Sequence, residues 1–303
     1  MIIVNHSLQK IAFLIGSATE TRENQTARSL GHALQELLPG AGRHYSIPYI
    51  RRGAGKQILE ESASIPPALA VAKRLCRQGN LNQATEILLY LHDEASFHRD
   101  IRGQALAMNQ LGVVRRMQRR YEEACSDLTR ALIDFQKLQD FQLVAEGINN
   151  LGMLSFKKFE YERAANSFDE AQHLCKSLKY YSLLGFVFLN KSELFMARRD
   201  YAMAAQMCIF GLTHHVKNNV SLGVARACLL IGQILWKCQQ LRSATAVCLE
   251  SIRLYRMFNI PLGLANSCSE FSTLLGDVGE IGEAKEYHRE AHTIYREMGI
   301  DVH

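Results

Sequence analysis

Residues 149–171 read NNLGMLSFKKFEYERAANSFDEA, and the fold follows from this stretch. Small residues stand at Gly152, Ala164 and Ala171, with Tyr161 three places before the middle one. Stepping by forty from Ala164 lands on Ala84, Ala124, Ala204, Ala244 and Ala284, six alanines in one register. With alanine at about one position in ten, that coincidence has a probability on the order of 10⁻⁶ before the choice of period and phase is allowed for. The neighbours keep the step. Three residues before each alanine stand Leu81, Tyr121, Tyr161, Tyr201, Leu241 and Ile281. Twelve before stand Ala72, Gly112, Gly152, Ser192, Gly232 and Ser272, all small. Seven after stand Leu91, Ala131, Ala171, Gly211, Ser251 and Ala291.

Small residues at fixed helical positions let two helix backbones approach closely while a larger neighbour fills the adjacent hole. Each unit is therefore expected to be two helices of about 13 residues, roughly 20 Å each at 1.5 Å per residue. In the second unit they are predicted near Gly103 to Gln118 and Tyr121 to Leu138, with Arg119-Arg120 at the turn. Gln78-Gly79-Asn80, Arg199-Asp200 and Gly279-Glu280 mark the same turn elsewhere. Pro66-Pro67 after Ser64 opens the first helix, and Pro261 opens the first helix of the last unit.

This pattern resembles the tetratricopeptide repeat, a helical hairpin with small residues at its eighth, twentieth and twenty-seventh positions. Asn149-Asn150-Leu151-Gly152 with Tyr161, Ala164, Phe168 and Ala171 carries the resemblance best, followed by Gln110-Leu111-Gly112 with Tyr121, Ala124, Leu128 and Ala131. The forty-residue step is similar to the longer variety in kinesin light chains, Pins-type adaptors, and Rap-like and MalT-like regulators. The resemblance implies an all-α, right-handed superhelical solenoid of six hairpins over 65–303. The expected units are 65–104, 105–144, 145–184, 185–224, 225–264 and 265–303. Residues 1–64 form a non-repeat segment, read as a basic cap.

A solenoid's extended concave face is where partners lie. The register places Asn109, Gln110, Arg116, Asn149, Asn150, Phe156, Lys157, Phe186, Leu189, Asn190, Met196, Arg226, Gln233, Trp236 and Lys237 on that face. Asparagines offer both donor and acceptor to an extended backbone. The resemblance to kinesin light chains and Rap-like proteins implies that Asn109, Asn149, Asn150 and Asn190 grip a peptide. Phe186, Leu189, Met196, Leu229 and Trp236 call instead for apolar anchors such as those of an amphipathic helix, and each is equally well read as packing between helices. Trp236 is the only tryptophan and the first choice for a hot spot. The chaperone-tail version of the family is not matched, because its carboxylate-gripping places hold Leu69, Lys73, Asn109 and Val113.

The 303 residues are 48% hydrophobic and 21% charged, as a globular chain requires. Residues 1–80 hold ten Lys/Arg against five Asp/Glu, so the +5 net charge resides there, and 25 of each sign remain beyond. That balance counts against a nucleic-acid surface. No apolar run suits a membrane span, and eight cysteines without a C-x-x-C pair fit reduced, buried thiols in the cytoplasm. Cys208, Cys228, Cys248 and Cys268 step by twenty, too far apart to share one ion. His288 and His292 lack a third ligand at recognisable spacing, His214-His215 suits a helix C-terminus, and Gly53-Ala54-Gly55-Lys56 lacks the rest of a phosphate loop. No catalytic residue, metal or cofactor is expected. The sequence thus indicates a non-enzymatic scaffold that binds a protein or peptide in its groove. Two alternatives stay open: a peptide-sensing regulatory module of a bacterial signalling or transcription regulator, and a degenerate nucleotide-binding fragment at the N-terminus. The last unit is also expected to leave an apolar end face free for self-association.

Overall fold

The computed structural model describes residues 67–298 and Ile300. Twelve helices occupy them: α1 Pro67–Arg77, α2 Leu81–Phe97, α3 Ile101–Met117, α4 Tyr121–Lys137, α5 Phe141–Lys157 and α6 Tyr161–Ser177 come first. α7 Tyr181–Ala197, α8 Tyr201–Lys217, α9 Ser221–Lys237, α10 Leu241–Met257, α11 Pro261–Val278 and α12 Ile281–Glu297 follow. Consecutive helices pack as hairpins, and each hairpin packs on the next. The expectations over residues 1–64, including the basic cap and the glycine-lysine stretch, lie outside the described residues.

From α2 onward every helix starts twenty residues after the last, and most run 17 residues rather than the expected 13 or so. The links are short because each helix turns off at a left-handed residue. Arg99, Arg119, Gln139, Phe159, Lys179, Arg199, Asn219, Gln239 and Asn259 have φ between 51° and 63°, and Gly79 and Gly279 take the same place. The Asp100 amide then donates to Ala95 O at 2.8 Å, the six-to-one bond of a Schellman ending, and the pattern repeats down the array. Asp100, Asp140 and Asp200 start the next helices by accepting from the amides of Gly103, Leu143 and Met203.

The repeated small residues are where hairpins close. Ala84, Ala124, Ala164, Ala204 and Ala244 have no exposed surface. A Cβ on Gly152 would lie 2.7 Å from the Phe168 ring, and one on Gly112 would lie 2.6 Å from Leu128 Cγ. In the fourth unit the same place is Ser192, whose hydroxyl donates to Ala204 O at 2.8 Å, while the residue opposite shrinks to Cys208.

The array's two ends meet. Met298 is buried against Gly79 in the α1–α2 turn, and Ile300 packs onto the core of the first units. The expected apolar end face is largely absent. α12 exposes Glu283, Lys285, Glu286, His288 and Arg289, with Ile281 its one exposed apolar side chain. Among the described residues no helix is long and apolar enough to cross a membrane.

Candidate functional site

The odd-numbered helices face inward and enclose a cleft of about 420 Å³. Lys73 and Arg77 of α1, Gln110, Val113 and Met117 of α3, and Glu146 and Asn150 of α5 form one side. Leu222 of α9, Tyr255 of α10, Ile260, and Leu262, Gly263 and Asn266 of α11 form the other. The cleft therefore lies between early and late units, across the superhelix. Its apolar wall residues suit side chains of a ligand, and its amides suit a backbone.

A polar ladder ties α3, α5, α7 and α9 in succession. Asn150 Nδ2 donates to Asn109 Oδ1 at 3.1 Å, and Asn109 Nδ2 donates to Glu146 at 3.3 Å. Gln110 also reaches Glu146, at 3.5 Å. Asn190 Nδ2 donates to Asn149 Oδ1 at 2.7 Å, and Arg226 donates to Asn190 Oδ1 at 2.7 Å and to Glu193 at 2.6 Å. Asn109, Asn149 and Asn190 are only 1%, 6% and 2% exposed, so their amides are committed to neighbouring repeats rather than offered to the groove. Leu189 has no exposed surface and belongs to the core. Asn150 is half-buried, and of the four expected asparagines it is the one that lines the cleft.

The remaining groove candidates divide by position. Arg116, Phe156 and Arg226 are half-buried and Lys157 is exposed. Lys157 Nζ lies 5.4 Å from the Phe156 ring centre. Gln233 is half-buried on α9. Trp236 is also half-buried; its indole N–H donates to Asp277 of α11 at 3.0 Å, and Lys237 Nζ sits 4.0 Å from its ring centre. Phe186 packs edge-on against His215, with ring centres 4.4 Å apart.

The groove's carboxylates, Glu146 and Glu193, were not singled out from the sequence. The signal was present in the register: Glu193 lies one hairpin before Arg226 and faces it. Burial opposes ionisation of Glu193, but Arg226 and Lys157 overcome it and hold its carboxyl below the usual range. Burial also lowers Arg226, yet its pair with Glu193 wins and raises it. Tyr255, at the cleft wall, is close enough to Arg226 and Glu193 to sense both charges.

Two chemical expectations are altered or sharpened by burial. His215 does not serve as a cation at a helix end: it has no exposed surface, and neither ring nitrogen has a hydrogen-bond partner. Burial, reinforced by Arg226 and His214, lowers it to about 3. Cys208, Cys228, Cys248 and Cys268 are buried and free. Desolvation pushes the thiols of Cys208, Cys248 and Cys268 up to about 12 and that of Cys228 well above the ordinary value. Among the described residues no three His, Cys, Asp or Glu side chains are grouped to hold a metal ion.

No family model matches the chain, and no curated protein matches it. Solved structures do. A Rap protein complexed with competence and sporulation factor is 11% identical, with a TM-score of 0.59 and 98% of each chain covered. Aspartyl phosphate phosphatase F from Bacillus subtilis is 12% identical at a TM-score of 0.54, covering 99% of this chain and 95% of that one. BtubC from P. vanneervenii is 14% identical at 0.51, covering 80% of this chain and 94% of that one. Identities this low establish shared architecture and leave function to the site. In fold, the chain is a tetratricopeptide-like solenoid of stacked helical hairpins.

Proposed function

We propose that the chain is a non-catalytic interaction module that holds an extended peptide in its inner cleft. The observation that carries this reading is the cleft itself. Val113, Met117, Leu222 and Leu262 supply apolar walls, while Gln110, Asn150 and Asn266 supply amides at the same surface. The Rap protein complexed with competence and sporulation factor supports it as an example of this architecture in complex with a partner. A cytoplasmic setting fits the eight free cysteines.

A regulatory version of the reading has its own support. The cleft walls come from opposite ends of the array, and Met298 touches Gly79 across the closure. A ligand seated between them bears on both ends, so it favours whichever spacing binds it better.

The test is selection of random linear peptides of about twelve residues on the immobilised full-length chain; at ~3.3 Å per residue they span roughly 40 Å. Enriched peptides are expected to bind with micromolar or tighter Kd. Asn150→Ala is expected to weaken them about fivefold to tenfold, the cost of about one hydrogen bond. Failure to enrich any peptide, or equal binding by Asn150→Ala and by a Val113→Asp variant that remains folded, rejects the reading.

A further inference from the structure

We propose that His288 and His292 form a two-imidazole site for a divalent transition ion on the last helix, α12. Among the described residues they are the one pair of histidines in ring contact, with ring centres 4.3 Å apart and planes inclined by 52°. The helix sets this spacing, because residues four apart lie one above the other on the same face. His288 is exposed and His292 half-buried, and neither ring makes a hydrogen bond or an ion pair among the described residues. Each neutral imidazole therefore keeps a lone pair that no protein donor occupies.

The separation of the rings is close to what one shared ion requires. With metal–nitrogen bonds of about 2.0–2.1 Å each ring centre lies about 3.2 Å from the ion, so two rings at square-planar or tetrahedral angles stand about 4.5–5 Å apart. The difference from 4.3 Å is within reach of a small side-chain rotation that stays in one rotamer well.

The chain supplies two ligands and leaves the remaining positions open. Glu290, between the histidines in sequence, is bonded instead to Arg256 of α10 at 2.8 Å. His288 borders a hollow of about 450 Å³ between Ser272 of α11 and Lys285 and Arg289 of α12, which has room for water on the ion. Lys285 and Arg289 place positive charge beside the site, which works against an ion held by charge alone. Magnesium and calcium want oxygen ligands, whereas imidazole suits zinc, nickel and copper. The ligand class is therefore an imidazole-preferring divalent ion, held exchangeably rather than in a closed four-ligand structural site. Neither histidine lines the inner cleft, so this site and the peptide reading stand or fall separately.

The experiment is calorimetric titration of the untagged full-length protein with Ni(II), and separately with Mg(II), in wild type, His288→Gln, His292→Gln and the double variant. His288 is exposed, so its variant remains informative even where His292→Gln unfolds. Wild type is expected to bind one Ni(II) that each single variant binds at least about tenfold more weakly, since the second imidazole acts at high effective concentration once the first has bound. The double variant is expected to lose little more than either single variant, because one remaining imidazole no longer chelates. Ni(II) binding by His288→Gln equal to wild type overturns the site. Losses that simply add in the double variant show two independent single-histidine contacts and overturn it as well. Mg(II) binding that depends on His288 overturns the assignment to an imidazole-preferring ion.

Discussion

Between pH 7.5 and 4.5 the protein is expected to lose about 3 kcal/mol of stability through His215 alone. The imidazole is fully buried, presses edge-on against Phe186, and is boxed in by Gly185 and Gly223. A Cβ on Gly185 would lie 2.7 Å from its Cε1, and one on Gly223 would run into the ring. Its neighbours discourage a proton further, because Arg226 and His214 both add positive charge. The folded value of about 3 lies below the ordinary 6.5, so the unfolded chain takes up a proton that the native state refuses. The associated stability is complete above pH 6.5 and is lost as pH falls toward 3, at a little over 1 kcal/mol per pH unit. Urea denaturation at pH 7.5 and 4.5 of wild type and His215→Leu isolates this effect, since other titrating groups largely cancel in the comparison. His215→Leu is expected to be near wild type at pH 7.5 and to lose about 3 kcal/mol less on acidification. Parallel losses in the two proteins would show that His215 is protonated in the native state.

Gly152→Ser is expected to cost about 2–3 kcal/mol, and Phe168→Cys about 3 kcal/mol, yet the double variant less than their sum by at least about 1 kcal/mol. The reason is a size exchange inside the repeat. Gly152 leaves room for the Phe168 ring, and sixteen residues separate the two. One unit later the corresponding pair is Ser192 and Cys208, both buried, with the serine hydroxyl bonded to Ala204 O. The double variant transplants that solution into the third unit. Gly276 provides the control, since a Cβ there meets nothing within 4 Å, and Gly276→Ala is expected to stabilise α11 by about 0.5–1 kcal/mol. Additive losses in the double variant would mean that the two positions do not fill one space.

The period and its small residues carried most of the fold. Ala124, Ala164 and Ala204, with their forty-residue spacing, are buried for the packing reason inferred from their size. Helix length was less legible. The left-handed residue that ends most helices is Arg, Lys, Gln, Asn or Phe rather than glycine, so the usual sequence mark of a three-residue link is missing. The groove was legible in composition and not in depth. The register put Asn109, Asn149 and Asn190 on the inward helices, but their partners lie one hairpin away, and that cross-repeat pairing turns them from groove surface into frame. His215 was misread because its environment is made by glycines on two other helices, whose absent side chains announce nothing about what fills the space. The meeting of the ends at Gly79 and Met298 depends on the accumulated turn of six hairpins, which no local pattern encodes.

The central claim is that ligands are held inside the superhelix rather than on its outer helices. A benzophenone side chain placed at Lys157, on the exposed inner rim, or at Arg130, exposed on the outer helix α4, tests it directly against the selected peptides. The account predicts crosslinking from position 157, competed away by unlabelled peptide, and none from position 130. Competable crosslinking from position 130 with none from position 157 would contradict it.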